Sequence, residues 1–163
     1  MATNTVNLSE FNKEELKFAH KFNFGIIVAD WNKHITKNLS IGTFNTLIEL
    51  GVKKKEITFY NVPGSFELIY AASQLCKSKK HDAIIVIGSI IKGETAHFDY
   101  ICQGVTQGIK DLNILYNTPV IFCVLTDLNE TQSVDRSGGK YGNKGVEAAV
   151  SAVKMVNLKK VLN

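Results

Sequence analysis

The chain has 163 residues, of which 45% are hydrophobic and 21% are charged, and this composition is typical of one globular domain spanning residues 1–163. Its apolar runs are too short to cross a bilayer, and its N-terminal segment is too polar for a secretion signal. The net charge of +4 comes from scattered lysines without interleaved aromatic rings, a pattern that disfavours nucleic-acid binding. We therefore expect a single-domain cytoplasmic protein that binds neither nucleic acid nor a membrane.

The three cysteines, Cys76, Cys102 and Cys123, lie within apolar patterns and form no C-x-x-C pair. An odd number of such thiols predicts reduced side chains that fill core space in a cytosolic protein. A nucleophilic Cys123 is the alternative, although a thiol in an apolar run more often packs.

In chain order, four short runs rich in isoleucine and valine predict strands that are covered on both faces. These runs are Phe24–Ala29, Ile57–Asn61, Ala83–Gly88 and Val120–Thr126. Apolar residues at helical spacing predict four helices, around residues 41–48, 68–76, 101–112 and 146–156. Gly51 is expected to end the first of them.

Strands that alternate with helices predict an α/β fold, in which a parallel sheet has helices on both faces. We expect residues 22–158 to form this core and residues 1–21 to be an N-terminal arm, with Val6–Phe11 as a candidate edge strand. Ligands of such sheets bind beyond the carboxyl ends of the strands. A site is therefore expected in the segments Asp30–Ile35, Val62–Glu67, Gly88–Phe98 and Thr126–Lys144.

The first two of these segments carry aromatic and acidic side chains. Trp31 is the only tryptophan, and an indole in a polar loop suits stacking on a flat heterocycle, although it could instead fill a gap or an oligomer contact. Ser65 can cap the helix that follows, while Phe66 and Glu67 would face the carboxyl edge of the sheet. The Glu67 carboxylate could accept hydrogen bonds from ring N–H groups of a ligand; a plain helix start is the alternative.

The third segment superficially resembles a phosphate-binding P-loop, but Glu94 stands where the essential lysine would be. A glycine-bearing turn still leads into a helix that begins near Thr95, and a helix N-terminus favours an anion. The alternative is that Thr95 only caps the helix. His97 lies in the first turn, where the helix dipole favours the neutral ring and so favours proton transfer. The remaining histidines, expected at the surface, are His20, His34 and His81.

The fourth segment ends in Asp135–Gly145, which places three cations and four glycines ahead of the last helix. Its Arg136 is the only arginine among the 19 lysine and arginine residues. A planar bidentate donor suits a phosphate group, and glycines allow close approach of the backbone to a ligand. A flexible basic loop is the alternative.

Taken together, these segments resemble the lumazine synthase family, the 6,7-dimethyl-8-ribityllumazine synthases of riboflavin biosynthesis. Five segments in family order carry the resemblance: Gly25–Asn32 (GIIVADWN), Val62–Glu67 (VPGSFE), Gly88–Tyr100 (GSIIKGETAHFDY), Pro119–Thr126 (PVIFCVLT) and Asp135–Gly145 (DRSGGKYGNKG). The resemblance implies a flavodoxin-like three-layer sandwich with a four-stranded parallel sheet, assembled as a pentamer or as an icosahedral shell of twelve pentamers. It implies neither a metal nor an organic cofactor, and it makes riboflavin synthase a candidate partner.

The resemblance also implies the reaction and the site. The amine of 5-amino-6-(D-ribitylamino)uracil forms an imine with 3,4-dihydroxy-2-butanone 4-phosphate, phosphate is eliminated, and the ring closes with loss of water. By position, His97 is implied to transfer protons and Trp31 to stack on the pyrimidine. The other implied contacts are Ser65, Phe66 and Glu67 at the ribityl chain, Ser89, Ile90 and Ile91 along the uracil edge, Glu94 and Thr95 at the phosphate, and Phe122, Arg136 and Lys144 from the neighbouring subunit.

Four positions depart from the family pattern, namely Trp31 for a common phenylalanine, Ser65 for alanine, Lys92 for arginine and Ile69 for proline. None of them removes a catalytic group. One rival interpretation is a flavin carrier or a response-regulator-like switch, which would need a hydroxyl-rich phosphate loop or an acidic cluster. The other is a shell protein that has lost catalysis, and intact His97 and Arg136 argue against it.

Overall fold

The central sheet consists of four parallel strands, β1 (Phe24–Ala29), β2 (Ile57–Val62), β3 (Ala83–Ile91) and β4 (Val120–Asp127). They lie in the order β2-β1-β3-β4, so β1 and β3 are central and β2 and β4 are edges. This computed structural model describes Asn7, residues 9–13, Leu16 and residues 19–162. The four predicted strands are confirmed, and β3 runs beyond its expected end at Gly88 to Ile91.

Besides two short 3-10 helices, Ala19–Lys21 and Lys54–Glu56, the described part of the chain has five α-helices: α1 (Lys33–Glu49), α2 (Leu68–Ser78), α3 (His97–Leu115), the short α4 (Glu130–Arg136) and α5 (Lys144–Leu162). A hairpin of β5 (Ser137–Gly139) and β6 (Gly142–Asn143) joins α4 to α5. The parallel sheet between helices confirms the predicted α/β sandwich. The segment Asp135–Gly145, for which a flexible basic loop was the alternative, contains the end of α4, the β5–β6 hairpin and the start of α5. The Asn129 side chain starts α4 by accepting a hydrogen bond from the Gln132 N–H at 3.0 Å.

Two apolar cores lie on opposite faces of the sheet. Along β3, Ile85 and Ile87 enter the core beneath α1 and α5, whereas Ile84 and Val86 enter the core beneath α2 and α3. All four side chains are fully buried. Successive residues of a strand point to opposite faces, so a strand buried on both faces needs apolar residues at every position. This is why the central strands appear in the sequence as unbroken runs.

The end of α1 follows the expectation for Gly51. Its φ of +90° is in the left-handed region, which glycine adopts without strain. The N–H of Gly51 donates to the carbonyl oxygen of Ile48, and the N–H of Val52 donates to that of Leu47. These two bonds form a Schellman motif, which satisfies carbonyl groups at the helix end and turns the chain towards β2.

The edge strand β2 differs from the prediction that all four strands are covered on both faces. Only its terminal residues, Ile57 and Val62, are buried, and the four residues between them are exposed. Phe59 is 43% exposed, and its ring packs obliquely against Phe44 of α1 with 6.0 Å between centroids. Side chains point to the two faces of a sheet, and in a single chain the flanking helices leave these faces of β2 largely uncovered.

The central strands end at different heights, and this offset creates room at the carboxyl edge. Pairing of β3 with β1 ends at Ile87, whereas pairing of β3 with β4 continues to Ile91. The chain beyond β1 instead turns towards β2, where the N–H of Asp30 donates to the Val62 carbonyl oxygen at 2.8 Å. The last residues of β3 therefore border an opening on the side that β1 has left.

The candidate N-terminal strand, Val6–Phe11, is described in part. Of Val6–Phe11, the structure describes Asn7 and residues 9–11, and none of these belongs to a strand in the single chain. Val6 and Leu8 lie outside the described residues. Among the helices that the structure describes, none has both the length and the apolar character needed to span a membrane.

Candidate active site

A cavity of about 470 Å³ opens at the carboxyl edge of the sheet, at the offset between β1 and β3. The loops after β1 and β2, the end of β3 and the first turns of α3 surround it. Nine of the predicted site residues line it together: Trp31, Ser65, Phe66, Glu67, Ser89, Ile90, Ile91, Thr95 and His97. Three separate segments of the predicted site therefore meet in one place.

The loop between β2 and α2 forms one wall of the cavity. Phe66 and Glu67 are exposed at its surface, as expected for groups that meet a ligand. Ser65 is buried and does not cap α2, because the N-cap residue is Glu67 and no side chain accepts a capping hydrogen bond there. Ser65 instead packs against Gly88, where the absence of a side chain leaves room for its hydroxyl group.

The loop after β1 carries Trp31, whose indole is 72% exposed. Its neighbour Asn32 has left-handed backbone angles, which asparagine tolerates better than most residues. The Asn32 side-chain amide donates to the carbonyl oxygen of Ser89 at 3.0 Å, across the gap left by the end of β1. This contact joins the Trp31 loop to the end of β3. Sequence reasoning missed it, because Asn32 reads as an ordinary loop residue.

The peptide groups at the end of β3 form the floor of the cavity. The N–H and C=O groups of successive strand residues point alternately to the two neighbouring strands. The N–H of Lys92 donates to the carbonyl oxygen of Asp127, so the peptide group of Lys92 faces β4. The carbonyl oxygen of Ser89 accepts a hydrogen bond from the Asn32 side chain, which lies on the opposite side. The odd-numbered residues Ser89 and Ile91 thus direct their peptide groups towards the β1 side. A ligand in the cavity meets alternating donors and acceptors there.

The start of α3 forms the opposite wall. His97 is the first residue of the helix and is exposed, and its backbone N–H donates to the hydroxyl oxygen of Thr95 at 3.4 Å. The expected helix start near Thr95 is confirmed to within two residues. A β-carbon on Gly93 would meet nothing within 4 Å, so the turn before the helix leaves open space beside the cavity. Glu94 is exposed but does not line the cavity.

Four further residues line the cavity: Gly64, Gly93, Phe98 and Ile101. Of these, Phe98 and Ile101 contribute side chains that were missed as site residues. Ile101 was assigned to the apolar stripe of its helix. A helix places residues three or four positions apart on one face, so His97 and Phe98 share a face with Ile101. This spacing was the available signal.

The three residues implied to act from a neighbouring subunit lie away from the cavity of their own chain. Phe122 lies in β4 and packs against the core beneath α2 and α3. Arg136 ends α4, with its guanidinium carbon 5.3 Å from the centre of the Tyr141 ring. Lys144 begins α5 and pairs with Glu147 at 2.6 Å. All three lie in β4 or in the segment that follows it, and none of them lines the cavity of its own chain.

The charges that line the cavity have one consequence for its chemistry. Among the described residues that line it, Glu67 carries a carboxylate and none is a lysine or an arginine. The described residues also contain no group of three or more histidine, cysteine, aspartate or glutamate side chains that could hold a metal ion. One chain by itself therefore presents hydroxyls, a histidine and peptide groups to a ligand, but no fixed cation in the cavity wall.

The remaining ionisable candidates lie elsewhere. Cys123 is fully buried, and burial raises the pKa of its thiol to about 12, so the packing interpretation holds and a nucleophilic thiolate does not. His20 and His34 are exposed, as expected. The expectation that His81 is a surface residue is wrong, because the side chain is buried beside Tyr60 of β2, with 6.1 Å between ring centroids.

Comparison with known proteins agrees with this geometry. The family model for 6,7-dimethyl-8-ribityllumazine synthase matches residues 21–160, which include every residue that lines the cavity. Proteins of that name from Flavobacterium psychrophilum and Christiangramia forsetii are 52% and 55% identical, over 100% and 98% of this chain and 86% and 96% of their own lengths. The protein of that name from Porphyromonas gingivalis is 48% identical over 99% of this chain and its own full length.

Proposed function

Because the chain belongs to the 6,7-dimethyl-8-ribityllumazine synthase family, we propose that the cavity beside β3 is where it forms the lumazine ring. The enzyme condenses 5-amino-6-(D-ribitylamino)uracil with 3,4-dihydroxy-2-butanone 4-phosphate, the penultimate step of riboflavin biosynthesis. The 5-amino group attacks the ketone and loses water to form an imine. Elimination then expels inorganic phosphate, and attack by the ribityl-bearing nitrogen on the new carbonyl closes the ring with loss of a second water.

The pyrimidine lies along the floor of the cavity in this proposal. A uracil edge alternates acceptors and donors, and the peptide groups of Ser89 and Ile91 offer the complementary alternation. Trp31 stacks on the ring from the loop after β1, where its exposed indole has room to do so. The segment Ser65–Glu67, which lines the adjoining wall, contacts the ribityl chain.

His97 is the proton-transfer group in this proposal. Imine formation, phosphate loss and ring closure each move a proton between nitrogen, carbon and oxygen atoms of the reacting chain. His97 is the only histidine that lines the cavity among the described residues, and it is held at the start of α3.

A single chain does not supply every contact that the phosphate group requires. The Thr95 hydroxyl, the backbone N–H groups of Glu94 and Thr95, and the N-terminus of α3 provide hydrogen-bond donors and a positive dipole end for it. A dianion in a cavity wall without lysine or arginine would still lack a fixed positive partner, and this is the observation that carries the proposal. We infer that a neighbouring subunit supplies Arg136 for the phosphate, with Lys144 and Phe122 beside it.

A site completed by a neighbour is compatible with a closed ring of subunits, in which each copy gives residues to one neighbour and receives them from the other. We propose a pentamer and, more specifically, an icosahedral shell, since the segment between α4 and α5 is the short β5–β6 hairpin without an inserted loop. Val6–Phe11 would then add to the sheet of the next subunit. We further propose a cytoplasmic enzyme that needs neither a metal nor an organic cofactor, with riboflavin synthase as a partner.

Co-assembly of two inactive variants tests the shared site. His97→Ala and Arg136→Ala are each expected to be impaired when assembled separately. After joint unfolding and refolding, random mixing pairs an intact His97 with an intact Arg136 at up to roughly a quarter of the interfaces. Lumazine formation should therefore recover in the mixture. If the mixture is no more active than the average of its two components, the site does not combine these residues from different subunits.

A further inference from the structure

Three polar side chains form a buried hydrogen-bonded series behind the cavity. The Ser133 hydroxyl donates to a carboxylate oxygen of Asp127 at 2.7 Å, and the hydroxyl oxygens of Ser133 and Ser89 lie 3.5 Å apart. Ser133 is fully buried, Ser89 is 1% exposed and Asp127 is 7% exposed. Ser133 has one proton and gives it to the carboxylate, so the Ser89 hydroxyl must be the donor to Ser133. The bonds therefore run in one direction, from Ser89 through Ser133 to Asp127.

This series anchors α4. Ser133 is the only buried residue of that helix, and Val134, its one large apolar side chain, is 45% exposed. A helix of seven residues is too short to be stable by itself and normally depends on apolar packing. Here a polar side chain takes that place. The hydrogen bond from Ser133 to Asp127 is thus the principal buried attachment of α4 to the sheet.

The two ends of the series are attached to different parts of the proposed site. Arg136 is the last residue of α4, and its Nη1 donates to the Gln132 carbonyl oxygen of the same helix at 3.1 Å, so the guanidinium follows the helix. At the other end, Ser89 lines the cavity. The Asp127 carbonyl oxygen also accepts the Lys92 N–H at 2.9 Å. Asp127 therefore connects α4 with the end of β3 through both its side chain and its backbone.

We propose that Asp127 and Ser133 are positioning residues. They hold α4, which carries Arg136, at a fixed position relative to the end of β3 that lines the cavity. Neither residue lines the cavity, so both act through Arg136 and Ser89. The inference rests on the proposed function, from which it takes the role of Arg136 at the phosphate. In a ring, the series would link the pyrimidine floor of one site to the phosphate contact of the next.

Steady-state kinetics of Ser133→Ala, with each substrate varied in turn well below the unfolding temperature, tests this proposal. Loss of the bond to a charged acceptor is expected to raise the KM for the butanone phosphate roughly tenfold, and that for the pyrimidine by less than about twofold. A merely stabilising role would lower the melting temperature and leave both KM values unchanged. Asp127→Asn keeps an oxygen that accepts from Ser133 and should remain close to the unsubstituted enzyme. Thr131→Ala, at an exposed position of the same helix, is the matched control.

If Ser133→Ala does not fold, the double variant Ser133→Ala/Asp127→Leu replaces it, because it leaves no unpaired buried carboxylate. Unchanged KM values in whichever of these variants folds would overturn the proposal. Arg136→Ala, measured in parallel, distinguishes failure of the positioning role from failure of the phosphate role of Arg136. A raised phosphate KM in Arg136→Ala alone refutes only the positioning role. An unchanged phosphate KM in Arg136→Ala refutes the phosphate role of Arg136 and, with it, the positioning proposal.

Discussion

The hydroxyl oxygen of Ser65 lies 2.6 Å from the position that a β-carbon on Gly88 would occupy. Gly88 belongs to the middle layer of the protein, and Ser65 belongs to the loop that lines the cavity. The absence of a side chain at one residue thus allows the other to pack directly on β3. This contact joins the Ser65–Glu67 wall to β3, whose last residues form the floor of the cavity.

Gly88→Ala is expected to displace Ser65 and so disturb the wall that we propose contacts the pyrimidine substrate. Overpacking of this kind typically costs about 1–3 kcal/mol of unfolding free energy, which chemical denaturation can measure. The KM for the ribitylaminouracil should also rise. Ser65→Ala removes the offending atom, so the double variant Gly88→Ala/Ser65→Ala should regain most of the lost stability. A double variant as unstable as Gly88→Ala would place the clash elsewhere, for example at Leu68.

Arg136→Lys is expected to raise the KM for the butanone phosphate and leave pyrimidine binding nearly unchanged. Lysine keeps the charge but cannot reproduce a planar bidentate contact. A hydrogen bond to a charged group is typically worth about 1.5–3 kcal/mol, which corresponds to a roughly ten- to more than hundredfold change. Steady-state kinetics with each substrate varied in turn is the measurement. Equal weakening of both substrates would contradict a contact specific to the phosphate.

His97→Ala should lower kcat rather than affinity, by about 10²–10⁴ for a general acid–base. The reduction would lie at the lower end, since the reactants also combine slowly when they are merely held together. His20→Ala, at an exposed position outside the cavity, is the matched control. An unchanged kcat for His97→Ala would remove this residue from the proton transfers.

Trp31 fluorescence should fall when the ribitylaminouracil or the lumazine product binds, because we propose that the indole stacks on the bound ring. Trp31 is the only tryptophan, so the protein emission from an indole has a single source. Titration with either ligand, corrected for absorption by the ligand, is the measurement. The butanone phosphate alone has no flat ring and should leave the emission unchanged. Constant emission on pyrimidine binding would count against stacking.

His81 predicts a loss of stability at acid pH. Burial lowers the pKa of its imidazole, Lys80 acts in the same direction, and the Asp82 carboxylate opposes them; the buried Nδ1 atom has no hydrogen-bond partner. Because the folded pKa lies below the unfolded one, the unfolded chain binds the proton more tightly. The contribution of His81 is complete above the unfolded pKa of about 6.5 and is lost as pH falls from there through the folded pKa.

Urea unfolding at several pH values and one fixed protein concentration measures this effect. His81→Phe is expected to flatten the decline in unfolding free energy below about pH 6.5. His20→Gln removes an exposed imidazole and should leave the decline as it is. The same slope in the His81→Phe variant and in the unsubstituted protein would show that other groups cause the acid sensitivity.

The assembled particle should have the mass of a shell of pentamers. Sedimentation and light scattering over a range of protein concentrations and buffers would measure it. Removal of the first eleven residues, which include the candidate added strand Val6–Phe11, should shift the distribution of particle masses from the shell towards pentamers. A particle of pentamer mass under all conditions would rule out the shell and leave the shared site intact.

Local features of the fold followed from the sequence because short-range chemistry decides them. Unbroken isoleucine and valine runs identify central strands such as β3, and Gly51 ends α1 because the left-handed conformation there suits glycine. The glycine-bearing turn that precedes His97 likewise predicted its position at the start of a helix. The order β2-β1-β3-β4 and the meeting of three loops in one cavity agree with general rules for parallel sheets.

Other features depend on residues far apart in the chain, and only the tertiary structure could decide them. The residues next to His81 in the sequence are polar and predict a surface position, yet His81 is buried beside Tyr60. The edge position of β2 exposes a run that resembles a buried strand. Ser89 and Ser133 are 44 residues apart, and no local sequence pattern predicts that their hydroxyl groups lie close together. A hydrogen bond between distant residues exists only once the backbone has brought both to one place, so Asp127, Ser133 and Ser89 become a unit only in the folded chain.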